Sequence, residues 1–244
     1  MKTKLSDDLL WLCPTQADDL IRLGGHQDGG YVVPFNAIEE ADGLLSYGLG
    51  QDWSFDEAWA NLKPGTPVHM YDGTGPQNSF AVEPKIKYFG FFHKHPHIKH
   101  WFQNVGPVTT PDGHVCGFAE SVERIGVDNV FVKMDIECGE FPIIDDIVSQ
   151  HDKIVGIVIE FHQAIYNLPR IKEAVDKFKQ YYKIVHLHGN THTMIGQSGL
   201  TDCIELTLVR NDLALSDDLR RDVYLPHLDY TNNMLQQDVE FYFE

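Results

Sequence analysis

At 244 residues, with 43% hydrophobic and 23% charged side chains, the chain has the composition and length of one large folded domain, which excludes intrinsic disorder. Its 36 Asp and Glu against 19 Lys and Arg leave a formal charge of −17, a field that repels phosphate backbones and anionic lipid and speaks against a nucleic-acid or membrane-surface partner. No apolar run approaches a membrane span, the opening residues lack a signal-peptide core, and four scattered cysteines without a C-x-x-C pair fit reduced thiols in the cytoplasm.

In chain order, Gly24-Gly25 and Gly29-Gly30 bracket a turn ahead of Tyr31-Val32-Val33-Pro34. Leu44 to Tyr47 reads as a short apolar strand that runs into Gly48-Leu49-Gly50. Phe55, Ala58, Trp59 and Leu62 stand at helical spacing, and Pro64-Gly65 ends that helix. Val68 to Tyr71 is the next strand, closing on Asp72-Gly73, and Ile86 to Phe92 reads as a third. A helix over Gly117 to Ile125 precedes the buried run Val130-Phe131-Val132-Lys133-Met134. A helix follows from Pro142 through Val148, then a β-branched strand over Ile154 to Phe161 and a helix over Pro169 to Tyr181. Ile184 to Leu187 and Ile204 to Val209 are strands with no convincing helix between them. The alternation predicts an α/β, doubly wound, Rossmann-like sheet, mostly parallel, with an antiparallel edge strand.

Candidate chemistry gathers where these strands end. Gly48 and Gly50 let the backbone turn sharply and approach a ligand. A dinucleotide fingerprint would need a third glycine where Trp53 stands, so diphosphate binding is poorly supported and an ordinary tight turn is the competing reading. Asp72 lies about 20 residues past the glycine turn, where an acid accepts both hydroxyls of a ribose; an Asp-Gly turn residue is the plainer alternative. A ribose site without a phosphate loop points to a nucleoside such as S-adenosylmethionine. Asp135 and Glu137 end one buried strand, Glu160 and His162 another, and Glu140 follows closely. Methyl transfer needs an oriented acceptor and a base, and His162, titrating near neutrality, suits that task. Helix capping is the bland account of Asp135 and Glu137. The same carboxylates with one imidazole suit magnesium or manganese, yet nothing in the spacing demands a metal and no ligand is assigned. His93, His95, His97 and His100 read as a solvated loop broken by Pro96. His186, His188, Asn190 and His192 either border the same crevice or are edge polarity. Trp53, Phe55 and Trp59 read as core rather than as a sulfonium cage.

Taken in order, R-L-G-G-H-Q-D-G-G-Y-V-V, L-S-Y-G-L-G-Q-D-W-S-F-D, V-H-M-Y-D, V-K-M-D-I-E-C-G-E-F, I-E-F-H and D-C-I-E-L resemble the FkbM-type methyltransferases, a branch of the class I S-adenosylmethionine-dependent enzymes. The resemblance runs over nearly the whole chain, as far as L-P-H-L-D-Y-T-N-N, and departs at Cys138 and Gly139, where the family usually reads Gly-Ala. It implies a seven-stranded methyltransferase domain over residues 1–244, with 1–40 as a cap segment and 41–244 as the Rossmann-like core. It also implies that Gly48, Gly50, Asp72, Asp135 and Glu137 border the cofactor, that Asp135, Glu160 and His162 serve catalysis, and that a small-molecule or sugar hydroxyl is O-methylated. The competing readings are a non-catalytic descendant that keeps the fold as a binding protein and, more remotely, a divalent-metal-dependent hydrolase. Loops over Lys85 to Val108 and Gly189 to Gly199 would grip the acceptor.

Overall fold

A computed structural model describes residues 1–74 and 82–244. In chain order the elements begin with β1 (Lys2–Lys4), a 3₁₀ turn (Asp7–Leu12), β2 (Leu20–Leu23), β3 (Tyr31–Pro34), α1 (Phe35–Glu40), β4 (Gly43–Tyr47), α2 (Ser54–Leu62) and β5 (Val68–Tyr71). They continue with α3 (Val82–Lys94), β6 (Ile98–Trp101), β7 (Asn104–Gly106), β8 (Val115–Gly117), α4 (Phe118–Ile125), β9 (Val130–Met134) and α5 (Ile144–Ser149). The last are β10 (Ile154–His162), α6 (Ala164–Phe178), β11 (Tyr182–Gly189), β12 (Cys203–Arg210) and β13 (Glu240–Tyr242).

Seven strands form the central sheet in the order β11-β12-β10-β9-β4-β5-β6. This is the doubly wound order in which the chain starts in the middle, works outward to one edge, then returns to build the other side. β12 is antiparallel to both β10 and β11. The reversed strand is therefore present as predicted, but it lies one position in from the edge. The inner place suits it, because every residue from Cys203 to Val209 is buried. β11 takes the edge, with the half-buried Lys183 at its start.

Alternation along β9 shows how two cores form. Val130, Val132 and Met134 point to the layer of α4, α5 and α6, where Val122, Ile147 and Phe178 also pack. Phe131 points the other way, to Ile38, Trp59 and Phe91 from α1, α2 and α3. A period of two on a sheet covered on both faces makes each strand read as continuously apolar. Phe55 and Trp59 are core, as expected.

The stretch Ile86 to Phe92 is helical rather than a strand. Its buried residues are Tyr88 and Phe91, three apart, while Ile86 and Phe89 are 66% and 60% exposed. The aromatic density suits a strand, but the period of burial belongs to a helix. The supposed histidine loop is likewise structured. His93 lies in the last turn of α3, His100 lies on β6, and His95 is buried against Phe91. Strand β6 escapes sequence reading because Ile98-Lys99-His100-Trp101 is a short, polar edge strand. α6 begins five residues before Pro169, which sits inside it. The hairpin of β2 and β3 lies against the sheet, with the Thr207 hydroxyl donating to the Val32 carbonyl at 2.6 Å. β1 pairs in parallel with β13, which joins the two chain ends. No helix among the described residues is long and apolar enough to cross a membrane.

Candidate functional site

β5, β4, β9 and β10 run parallel side by side, so Asp72, Gly48, Asp135 and Glu160 all arrive at one rim of the sheet. There the strand order reverses between β4 and β9, the place where open α/β sheets bind ligands. A cavity of about 740 Å3 opens at that place, with Gly48, Gly50, Asp72, Asp135 and Glu137 in its walls. Those are the five residues expected to border a cofactor. Glu160 and His162 lie behind the wall rather than in it, and Glu160 is only 3% exposed.

The glycine turn is held from three sides. Gly48 has φ +79°, and a Cβ there would lie 1.6 Å from the Asp135 carbonyl oxygen, so only glycine allows β4 and β9 to end this close together. Its N–H donates to the Tyr71 carbonyl at 3.0 Å. Its carbonyl accepts from the buried Lys133 ammonium. One Asp72 oxygen accepts the N–H groups of Leu49 at 2.9 Å and Gly50 at 2.8 Å, and the other accepts from the Thr74 N–H at 2.6 Å. Asp72 thus organises the turn as well as lining the cavity.

Behind Asp135 lies a compact network of acids around one imidazole. His162 Nδ1 sits 3.0 Å from Glu140 Oε1. Its Nε2 faces Glu137 at 3.5 Å, Asp135 at 3.6 Å and Glu160 at 3.8 Å. Burial works against protonation of the ring, but the bond to Glu140 and the charges of Glu140, Asp135 and Glu160 outweigh it and lift its pKa to about 9. This surrounding favours the protonated ring at neutral pH, above the near-neutral titration of an unperturbed imidazole. Glu160 accepts from the Tyr31 hydroxyl at 2.7 Å and from the Cys203 thiol at 3.0 Å. Burial, followed by the charges of Asp135 and Glu205, raises its pKa to about 8. The Tyr31 hydroxyl also stands 3.5 Å from Asp135 and so bridges the two carboxyls. Neighbouring Glu137 and Cys138 both have positive φ, 54° and 74°, a conformation that side-chain-bearing residues adopt at a cost.

Lys133, Tyr31 and Glu140 are the structural partners that residue-by-residue reading left without a role. A lone lysine in the otherwise apolar V-F-V-K-M run was the available signal, since an unpaired lysine is rarely buried. His186 and His188 do not reach the crevice. They lie under the C-terminal segment, His186 2.9 Å from Asp229 and His188 between Glu205 and Asp238 at 3.1 and 3.0 Å. Residues 85–94 belong to α3 rather than to an acceptor loop, while Asn104 and Val105 of β7 do line the cavity. All four cysteines are free thiols.

No protein-family model matches the chain, and no curated protein matches it in sequence. Solved structures similar to it include methyltransferases. One is the methyltransferase FkbM from Methylobacillus flagellatus KT, 13% identical with a TM-score of 0.41, covering 68% of this chain and 44% of that one. Another is DNMT2 from Spodoptera frugiperda, 14% identical with a TM-score of 0.44, covering 77% of this chain and 56% of that one. The 23S rRNA methyltransferase ErmE is 10% identical with a TM-score of 0.42, covering 74% of this chain and 68% of that one. The chain thus spans about half the length of the first two, and scores and identities this low assign it neither substrate nor activity.

Proposed function

We propose that this chain is an S-adenosylmethionine-dependent methyltransferase that O-methylates a hydroxyl of a neutral small molecule or sugar. The observation that carries the reading is the cavity at the strand-order reversal, with the Gly48-Leu49-Gly50 turn on one side and Asp72 beside it. Its chemistry fits a cationic nucleoside better than a dinucleotide. Asp28, Asp52, Asp72, Asp135 and Glu137 line it, and Lys133, the only lysine or arginine among the lining residues described, is committed to the Gly48 carbonyl. A diphosphate would meet carboxylates, whereas a sulfonium and an amino group would be attracted.

Bound there, S-adenosylmethionine supplies both the methyl group and its leaving group. Asp72 and the glycine turn hold the ribose end, and Asp135 faces the acceptor. Asp135 takes the hydroxyl proton, because His162 is already protonated and Glu160 is out of reach. Holding the acceptor oxygen in line contributes most of the rate, roughly 7–11 kcal/mol in well-oriented systems. The acidic walls select against phosphorylated or carboxylated acceptors.

Calorimetry with S-adenosylmethionine and S-adenosylhomocysteine tests the cofactor, and transfer of a labelled methyl group to a panel of neutral polyols and sugars tests the acceptor. Absence of binding at millimolar cofactor would remove the basis of the reading. Transfer to anionic acceptors alone would remove the part that concerns specificity.

A further inference from the structure

We infer that Asp135, Glu137 and His162 form a binding site for one divalent transition-metal ion of the zinc class, at the wall of the cavity. One ligand atom from each of Asp135, Glu137 and His162 lies within 4.8 Å of the other two. From Nε2 the two carboxylate oxygens stand at 3.6 and 3.5 Å. These separations are long for hydrogen bonds. They match the edge of a tetrahedron whose metal–ligand bonds are about 2.0–2.2 Å, which is about 3.3–3.6 Å. Three protein ligands with an open fourth position is the arrangement of catalytic rather than structural zinc. Because Asp135 and Glu137 also line the cavity, a water or a ligand oxygen from it could complete the coordination.

A second observation, outside the three ligands, points the same way. Glu140 is wholly buried, and its side chain is directed at His162, with Oε1 3.0 Å from Nδ1. Its other oxygen is buried without a hydrogen-bond partner among the described residues. A buried carboxylate on the far nitrogen of an imidazole is the usual outer partner of a metal-ligating histidine, where it fixes the ring and the tautomer. Glu160 Oε2 is a poorer ligand, at 3.8 Å from Nε2 and already accepting from Cys203. An imidazole in the set favours zinc, manganese or iron over magnesium.

Binding of the ion displaces the Nε2 proton that His162 carries in the metal-free chain and occupies Asp135, so the role of Asp135 as base belongs to the metal-free chain. The inference concerns the residues of this chain and does not depend on the cofactor reading, so its test omits S-adenosylmethionine. The full chain is stripped with chelator, titrated with Zn2+ by calorimetry, and assayed for bound metal after gel filtration. The expected result is about one Zn2+ per chain with micromolar or tighter affinity. His162→Ala should abolish that binding. Glu140→Gln should weaken it about 10–100-fold, the usual cost of losing an outer partner. Glu137→Gln guards against misfolding, since that side chain is 86% exposed and its loss cannot open the core. It should still weaken Zn2+ binding at least about tenfold, while His114→Ala, on an exposed loop, leaves it unchanged. Visible absorption of the Co2+ form should report four-coordination in the native chain and change in Glu137→Gln. Sub-stoichiometric binding, or binding indifferent to both Glu137→Gln and His162→Ala, would overturn the inference.

Discussion

Replacing Gly48 by alanine strikes the point where the two central strands come closest. The new Cβ would lie 1.6 Å from the Asp135 carbonyl oxygen, against ordinary contacts that begin near 3.4 Å. Either the turn or the end of β9 must retreat by roughly 2 Å, on contact distances alone. A side-chain-bearing residue at φ +79° adds about 1–2 kcal/mol. Retreat also strains the bond from Gly48 to Tyr71 and the bond from Lys133 to Gly48. Those contribute about 0.5–1.5 kcal/mol for the neutral bond and about 1.5–3 kcal/mol for the charged one. The sum is about 3–6.5 kcal/mol, or a melting temperature lowered by roughly 6–26 °C in a domain of this size. Gly50→Ala is the internal control. It has φ +52° but no atom within 4 Å of the added carbon, so it should cost only about 1–2 kcal/mol. Thermal unfolding by circular dichroism, followed by cofactor calorimetry on both variants, reads the difference. Equal losses for the two, or a Gly48→Ala melting temperature within about 2 °C of the native chain, would show that the close approach of β4 and β9 does not govern the turn.

Stability should fall as pH rises from about 4.5 toward 9. Glu160 is raised from 4.5 to about 8 and His162 from 6.5 to about 9. Each folded-state pKa exceeds its unfolded value, so each stabilising contribution is complete below the unfolded value and lost as pH climbs through the folded one. In melting curves against pH, Glu160→Gln should flatten the slope between about 4.5 and 8; an unchanged slope there would refute the raised carboxyl. Tyr31→Phe removes the hydroxyl that donates to Glu160. It should cost about 1–3 kcal/mol and move the Glu160 titration to still higher pH, and a shift downward would contradict the assigned bond. Asp72→Ala deprives the Leu49 and Gly50 N–H groups of their acceptor. S-adenosylmethionine binding should weaken at least about tenfold, equivalent to about 1.4 kcal/mol, and an unaltered dissociation constant would place the ribose elsewhere.

Much of the fold was legible because strands buried on both faces must be apolar at every position. Val130 to Met134 and Ile154 to Phe161 announce themselves as sheet centre in that way. Acids that interrupt such runs mark strand ends, and this is why Asp72, Asp135 and Glu160 could be placed at one rim before any contact was known. The edges were harder to read. Ile98 to Trp101 is too short and polar to show a period, and the aromatic run from Ile86 to Phe92 hides a helical face. Only the tertiary structure shows that Asp135 and Glu137 line the cavity while Glu160 is sealed behind them.

The amino-acid order by itself determined the layered α/β architecture, the acidic rim and the glycine turn, because burial on two faces and backbone freedom are properties of local residue types. The folded chain alone decided the protonation of His162 and the company it keeps. Three carboxylates from the turn after β9 and one from β10 converge on one ring from positions up to 27 residues away, and the field of Glu140, Asp135 and Glu160 on it, opposed by burial, exists only once those strands lie side by side.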